Sequence, residues 1–575
     1  MRWEGDTKPK RSDPRPPAEG SPPEPFLAGR RGLRLLLLGG LTVLTLLPFT
    51  GKAFHIDDPM YIWAGKRIHV TPLDPYGLEV NWYGFQMRMS EVNKNPPLTS
   101  YYMAGIAWFF GWGERVLHIA FLLPAIIVII GTYLLAERLC RRPLLAAFCT
   151  LFTPVFLVSS TNVMSDVLML AFWMMAAYLW LAGLERGSAW RLLLSAFLVT
   201  LSALAKYYGM ALVPLLLIYT VAKQRRLTWA LACFLVPAGL LLAYQIATHA
   251  VYGRGLLLDA ASYATALPSQ WGKWSGAKLL IGLAFAGGCI GAAWLFALWS
   301  WPRWTWLVGG VVAGVVIATT ATYGTIGGSP MGVAAGNVGN AAVLLGIFAV
   351  GGLVILAVAV SQALEARDAE SWFLCLWVLG TFAFAALVNW TTNGRSILPM
   401  APAVAILIAR GMPRIREKEP GRRAGERAIL GAIALCSVLV AVGVTWADFI
   451  YANSARAAAR DIDHRYTSPS RALWFEGHWG FQYYLEAKGG IAINFSTSKA
   501  KPGDLLVVPE NNSNIHMPTP AWTTLIDTLE VPTSRWIATM RTELGAGFYA
   551  DVIGPLPFAV GNVTPERYFI FRVTR

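Results

Sequence analysis

From about residue 33 to residue 449 the chain is a succession of apolar runs separated by short polar breaks. The runs measure roughly 16–22 residues, the length a helix needs to cross a bilayer. This pattern constrains the fold more than any other feature, and it predicts a polytopic α-helical membrane protein. Runs at about 33–49, 116–136, 144–160, 164–183, 190–205, 207–222, 228–247, 278–300, 304–321, 340–361, 371–389, 396–410 and 428–449 make about thirteen spans. With 55% hydrophobic and only 14% charged residues, the 575-residue chain is too apolar for a soluble enzyme.

A formal net charge of +15 can signal nucleic-acid binding, but here the basic residues gather in the breaks between apolar runs. They occupy alternate breaks: Arg138, Arg141 and Arg142; Arg186 and Arg191; Lys223, Arg225 and Arg226; Arg303; then Arg414, Arg416, Lys418, Arg422 and Arg423. Basic loops stay cytoplasmic, so the alternation orients the chain, and Lys8, Lys10, Arg11 and Arg15 keep the N-terminus on that side. No nucleic-acid partner is expected. The apolar stretch Pro97–Trp112 is short, and counting it as a span would turn Arg138–Arg142 outward. It is read as an interfacial segment within a first outer loop, 51–115.

Three regions follow. Residues 1–32, rich in Pro, Arg and Glu, are expected to form a disordered cytoplasmic N-terminus. Residues 33–449 form the membrane region. Residues 450–575 turn polar, with strand-like runs at Leu505–Val508 and Tyr568–Phe571, and read as a small soluble α/β domain. An odd span count puts that domain outside the cytoplasm of a multi-pass cell (inner) membrane protein. Cys140, Cys149, Cys233, Cys289, Cys375 and Cys436 lie in apolar runs or at their ends, without disulfide or zinc spacing, and read as buried, inert thiols.

Five polar features fall at span ends on the predicted outer face: Asp57-Asp58, Lys94-Asn95 before Pro96-Pro97, Asp166, Lys206 and Arg395. Each alone has an ordinary reading. Lys206 and Arg395 can snorkel to the interface, Asp166 can cap the following helix, and the prolines can make a turn. Together, acids and bases on one face suit binding an anionic headgroup and deprotonating a nucleophile. His55, His69, His249, His464 and His478 share no metal-ligand spacing, and no phosphate-binding Gly-rich turn is present. No metal and no cofactor are called from the sequence.

These residues carry a resemblance. Asp57-Asp58-x-x-Tyr61 resembles the Asp-Glu-x-x-Tyr signature of the GT-C glycosyltransferases, which include the protein O-mannosyltransferases and the aminoarabinose lipid A transferase. Asn95-Pro96-Pro97-Leu98 before Tyr101-Tyr102 is similar to their His/Lys-Pro-Pro-Leu signature. Asp166 resembles the acid before their fourth span, and Leu204-Ala205-Lys206-Tyr207 their Leu-Thr-Lys. Gly394-Arg395-Ser396-Ile397-Leu398-Pro399 is similar to their Arg-Tyr-Leu-Leu-Pro stretch. The motifs run in order over about Leu33–Arg410. Three departures stand out: Asp58 replaces the usual Glu, Ser396 the usual Tyr, and Asn95 the usual base, with Lys94 displaced by one.

The resemblance implies an inverting transferase with a GT-C-like membrane region. It moves a sugar from a polyprenyl-phosphate donor to a hydroxyl on a lipid, glycan or protein acceptor at the outer face. It implies Asp57 as base, with Asp58 or Asp166 orienting acceptor or sugar. Tyr61, Lys94 and Asn95 then sit at the substrate, and Lys206 and Arg395 hold the phosphate. Two other classes compete: a secondary transporter, which would place acids near the bilayer midplane among broken helices, and a non-catalytic membrane scaffold. Whether Asp57, Lys206 and Arg395 surround one cavity separates them.

Overall fold

The computed structural model describes residues 25–272, 274–412 and 420–575. Residues 1–24, and 413–419 with Arg414, Arg416 and Lys418, lie outside the described residues, and so do the expectations that rest on them. The first helix is Pro25–Leu46. It begins inside the stretch expected to lack structure, at a proline, which suits a first helical turn.

Every apolar run is helical. Among the described residues nine helices are long and apolar enough to cross a membrane. The run at 144–160 is a pair, Pro143–Leu151 and Pro154–Ser160, bent by 63°. Pro154 has no N–H to continue the first helix, and the Thr153 hydroxyl accepts from the Phe156 N–H at 3.3 Å to start the second. The remaining runs are the shorter helix Ala189–Ala205, the turn Tyr207–Ala211 leading into Leu212–Gln224, and the broken series Gly394–Ile397, Leu398–Met400 and Ala401–Gly411. The chain is therefore a multi-pass α-helical membrane protein. Helix Leu98–Phe110, 13 residues, reaches about 20 Å, short of a ~30 Å hydrocarbon core. It lies against helices Asp58–Val70 and Glu114–Leu139.

One apolar core runs through the bundle, with Trp173, Trp180, Trp377 and Tyr133 among its largest buried side chains. Cys149, Cys233, Cys289 and Cys375 are buried as expected. Cys140 is only partly so, and Cys436 is exposed on the long helix Pro420–Tyr466.

That helix, 47 residues long, continues beyond the apolar run 428–449. Its last turns, through Ala458, Ala459 and Ile462, cover a five-stranded sheet. The strand order is Ile491–Ala492, Leu473–Phe475, Leu505–Pro509, Glu566–Val573, Thr523–Val531. The first three strands are parallel, and Glu566–Val573 is antiparallel to both its neighbours. Leu505, Val507, Phe475 and Ile570 give this small α/β unit a core of its own. The connection from Thr523–Val531 to Glu566–Val573 leaves the sheet: Phe548, Leu556 and Phe558 are buried in the core of the helical bundle instead.

Candidate active site

The loop from Lys52 to Asp58 is held rigid by side chains on its own backbone N–H groups. Ala53 N–H donates to Asn453 Oδ1 at 2.9 Å and Phe54 N–H to the Tyr484 hydroxyl at 2.7 Å. His55 N–H donates to Asp58 Oδ2 at 2.8 Å. Ile56 sits at φ 46°, a left-handed conformation that a β-branched residue rarely adopts. The kink turns the two adjacent acids in opposite senses.

Asp58 points inward and is fully buried. Its other oxygen accepts from Val163 N–H at 3.0 Å, tying the loop to the start of helix Ser165–Arg186. Burial pushes its carboxyl up to about 7. Asp57 points into the opening, with 23% of its side chain exposed.

Asp57 Oδ2 lies 2.5 Å from Arg395 Nη1, and Arg395 Nε donates to Asp166 Oδ2 at 3.0 Å. Asp166 Oδ1 in turn lies 2.5 Å from Lys206 Nζ. Four residues from four distant segments thus form one alternating chain of charge. The fold positions each. Asp166 stands in the first turn of Ser165–Arg186, but caps nothing: its carboxylate is spent on the two cations, and the N-cap position is Met164. Lys206 stands in extended backbone where helix Ala189–Ala205 breaks. There Gly209 packs so tightly on Ser202 that a Cβ would lie 2.4 Å from its carbonyl carbon. Arg395 stands on the turn Gly394–Ile397, whose start is capped by the Asn393 side chain accepting from Ser396 N–H at 2.9 Å. Tyr61 joins through a 2.9 Å hydrogen bond between its hydroxyl and Ser165 Oγ.

Lys94 and Asn95 do not contact this chain of charge. Lys94 Nζ pairs with Asp259 at 2.5 Å and lies over the Tyr263 ring. Asn95 contributes backbone, its carbonyl accepting from the Tyr76 hydroxyl at 2.6 Å. Helix Leu256–Ala266 therefore packs against the Lys94 segment, a contact that sequence reasoning missed. Tyr83 and Tyr263 both lie within electrostatic range of Asp57, and Trp390 meets Tyr263 edge-on. An apolar groove of about 310 Å³ is lined by Pro97, Leu98, Tyr244, Val251, Leu256 and Leu204, two residues before Lys206. The Tyr244 hydroxyl at its edge lies 3.1 Å from that of Tyr207.

Beneath the site, Lys52 Nζ lies 2.5 Å from Asp448 Oδ2 and donates to Asn162 Oδ1 at 2.6 Å, all fully buried. Asp448 also accepts from the Thr539 and Tyr549 hydroxyls at 2.8 and 2.9 Å. The His55 ring, 3.7 Å from Asp448, is held neutral, burial pushing it down to about 3. Sequence reasoning missed this cluster too. Its one signal was a lone acid, Asp448, inside the last apolar run. Among the described residues no three His, Cys, Asp or Glu side chains gather to hold a metal ion. Positive charge at the site comes from Arg395 and Lys206.

Residues 94–252 match the family model of dolichyl-phosphate-mannose-protein mannosyltransferases. The fold is similar to ArnT from Cupriavidus metallidurans bound to undecaprenyl phosphate. That comparison has a TM-score of 0.51 at 13% identity, covering 84% of this chain and 93% of that one. The apo state of the same protein gives 0.50 at 14%, covering 84% and 94%. No curated protein matches the chain. The fold is thus ArnT-like over most of the chain, in agreement with the resemblance read from the motifs.

Proposed function

We propose that the protein is an inverting glycosyltransferase that moves a sugar from a polyprenyl-phosphate donor to an acceptor hydroxyl at the outer face of the cell membrane. The observation that carries this reading is the chain Asp57–Arg395–Asp166–Lys206. It puts one accessible carboxylate beside two cations, and an apolar groove is lined by Leu204, two residues before Lys206. The matched family and the ArnT complex support a lipid-phosphate donor. All four residues stand at helix ends, an arrangement for a site at the membrane surface rather than an ion path at mid-bilayer.

The chemistry needs no general acid, because the leaving phosphate is already a stable anion. Asp57 takes the proton of the acceptor hydroxyl as its oxygen bonds to the anomeric carbon. The bond from that carbon to the phosphate oxygen breaks, and polyprenyl phosphate leaves with the electron pair toward Arg395 and Lys206. Attack opposite the leaving group inverts the anomeric centre.

Without substrate, Arg395 pairs with the carboxylate that must act as base. An arriving phosphate competes for the guanidinium and frees Asp57 for the acceptor hydroxyl. Asp166 holds both cations in register, and Asp58 holds the loop behind Asp57. The polyprenyl chain lies along the apolar groove. Lys94, through Asp259, Tyr263 and Tyr83, shapes the sugar side.

Mass spectrometry of envelope glycolipids and glycoproteins tests the reading. Cells lacking the protein should lose one glycoform, which the wild-type chain restores and Asp57→Asn does not. Restoration by Asp57→Asn excludes Asp57 as the base, and an unchanged glycan profile in the deletion overturns the reading.

A further inference from the structure

Residues 532–565 link two neighbouring strands of the tail's sheet, yet they spend their apolar side chains on the helical bundle. The tip of this excursion, Gly545–Leu556, is folded tightly on itself. Gly547 N–H donates to Leu556 O at 2.8 Å and Leu556 N–H to Gly545 O at 3.0 Å. A Cβ on Gly554 would lie 2.2 Å from the Gly545 carbonyl carbon, so only glycine permits this crossing.

The tip grips two parts of the site. On one side it holds the segment leading into Arg395. Gly394 N–H donates to Phe548 O at 2.7 Å, and Asp551 N–H to Thr392 O at 2.9 Å. The buried Asp551 carboxylate accepts from the Thr391 hydroxyl at 2.7 Å and pairs with buried Lys278 at 3.0 Å. Lys278 also donates to the Trp390 carbonyl at 3.2 Å. Gly394 sits so close to the Phe548 ring that a Cβ would lie 2.7 Å from it.

On the other side the Tyr549 hydroxyl donates to Asp448 at 2.9 Å and accepts from Asn162 Nδ2 at 2.8 Å. These two residues hold Lys52, at the root of the Asp57 loop, and Asn162 also precedes the helix that carries Asp166. One short segment of the tail thus braces the approaches to Arg395, Asp57 and Asp166.

We infer that Gly545–Leu556 is a positioning element of the active site, with Asp551 setting the Arg395 segment and Tyr549 the Asp57 loop. The tail is then a structural part of the transferase centre rather than an appended module. The inference rests on the proposed function for the roles of Arg395 and Asp57, but the bracing has its own readout.

The test uses the full chain in nanodiscs, with two measurements: hydrogen–deuterium exchange and binding of undecaprenyl phosphate followed by native mass spectrometry. Asp551→Asn should speed exchange at 390–396 and weaken undecaprenyl phosphate by about tenfold, the worth of one hydrogen bond to a charged group. Tyr549→Phe should speed exchange at 52–58 and weaken that affinity less than Asp551→Asn does. Asp551→Asn takes the carboxylate from a buried ammonium, which can destabilise the whole fold. The double variant Asp551→Asn with Lys278→Met therefore probes the same segment without that charge.

Local exchange changes with this split in affinity support the inference. Unchanged exchange at both segments overturns it, and so does a uniform rise over the whole bundle with wild-type affinity in the folded fraction. If the wild-type chain does not bind undecaprenyl phosphate, the donor reading fails, and the exchange data still decide the bracing.

Discussion

Two networks of paired charge lie close together in this protein, and they differ in access to solvent. In the first, the side chains of Asp57, Lys206 and Arg395 are 23%, 18% and 11% exposed, around a buried Asp166. In the second, Lys52 with Asp448 and Lys278 with Asp551 are 0–1% exposed. A pair sealed from water has no competitor for its partners and fixes the geometry around it. A pair at an opening can exchange its partner for a charged ligand. The contrast teaches which charges are there to act and which to hold the actors, although residue type alone would not separate them.

The comparison breaks most visibly at its two acids. Asp57→Asn should cut formation of the glycosylated product by about 10²–10⁴-fold, the usual contribution of a general base. It should leave the melting temperature in nanodiscs close to wild type, since Asp57 lies at the opening. Asp448→Asn should do the reverse, costing about 3–5 kcal/mol of stability because it leaves the Lys52 ammonium buried without its counter-charge. Calorimetry or chemical unfolding of the two variants side by side reads this. An unstable Asp57→Asn, or an Asp448→Asn as stable as wild type, would merge the two networks into one.

A smaller effect sharpens the first network. Arg395→Ala and Lys206→Ala should each weaken undecaprenyl phosphate by about ten- to a hundredfold. Lys94→Ala should change that affinity by no more than about twofold, because its ammonium is turned to Asp259. Equal losses in all three variants would extend the phosphate site to Lys94.

The first network was legible in the sequence because its members stand at the ends of apolar runs, where a lone charge is conspicuous. Asp57, Asp166, Lys206 and Arg395 all stand out on that ground, and the structure brings them into contact. The motif order added Tyr61, which reaches the site through Ser165. The second network was not legible. Lys52 and Asp448 are 396 positions apart, and no periodicity pairs such residues. Asp551 lies in a tail that reads as soluble, and nothing in its local pattern says that its connection packs into the bundle. Lys94 stands beside the Pro-Pro motif, but its partner Asp259 lies on helix Leu256–Ala266, which has no motif of its own. The helical architecture was readable from run lengths, while the break at Gly209 depends on a close contact with Ser202 that only the folded chain reveals.

The smallest effect concerns the acid next to the proposed base. Asp58 shares residue type and position with Asp57, yet the Ile56 kink turns it inward onto two backbone N–H groups. Burial holds its carboxyl at about 7, against about 3.9 in an unfolded chain. Between those values the folded chain keeps a proton that the unfolded chain has released. The stability this group contributes is therefore complete below about pH 4 and is lost as the pH rises through about 7. Asn at this position copies the protonated acid at every pH. The melting temperature of Asp58→Asn relative to wild type should accordingly climb between about pH 4 and 7, by on the order of a few degrees, and level off on either side. Taking the difference removes the opposing contribution of neutral His55, which makes the folded chain less stable as the pH falls below about 6.5. A flat difference across that window would mean that Asp58 is ionised in the folded protein at acid pH. The loop behind Asp57 would then carry a second charge, and the division between the open and the sealed acid would have to be redrawn.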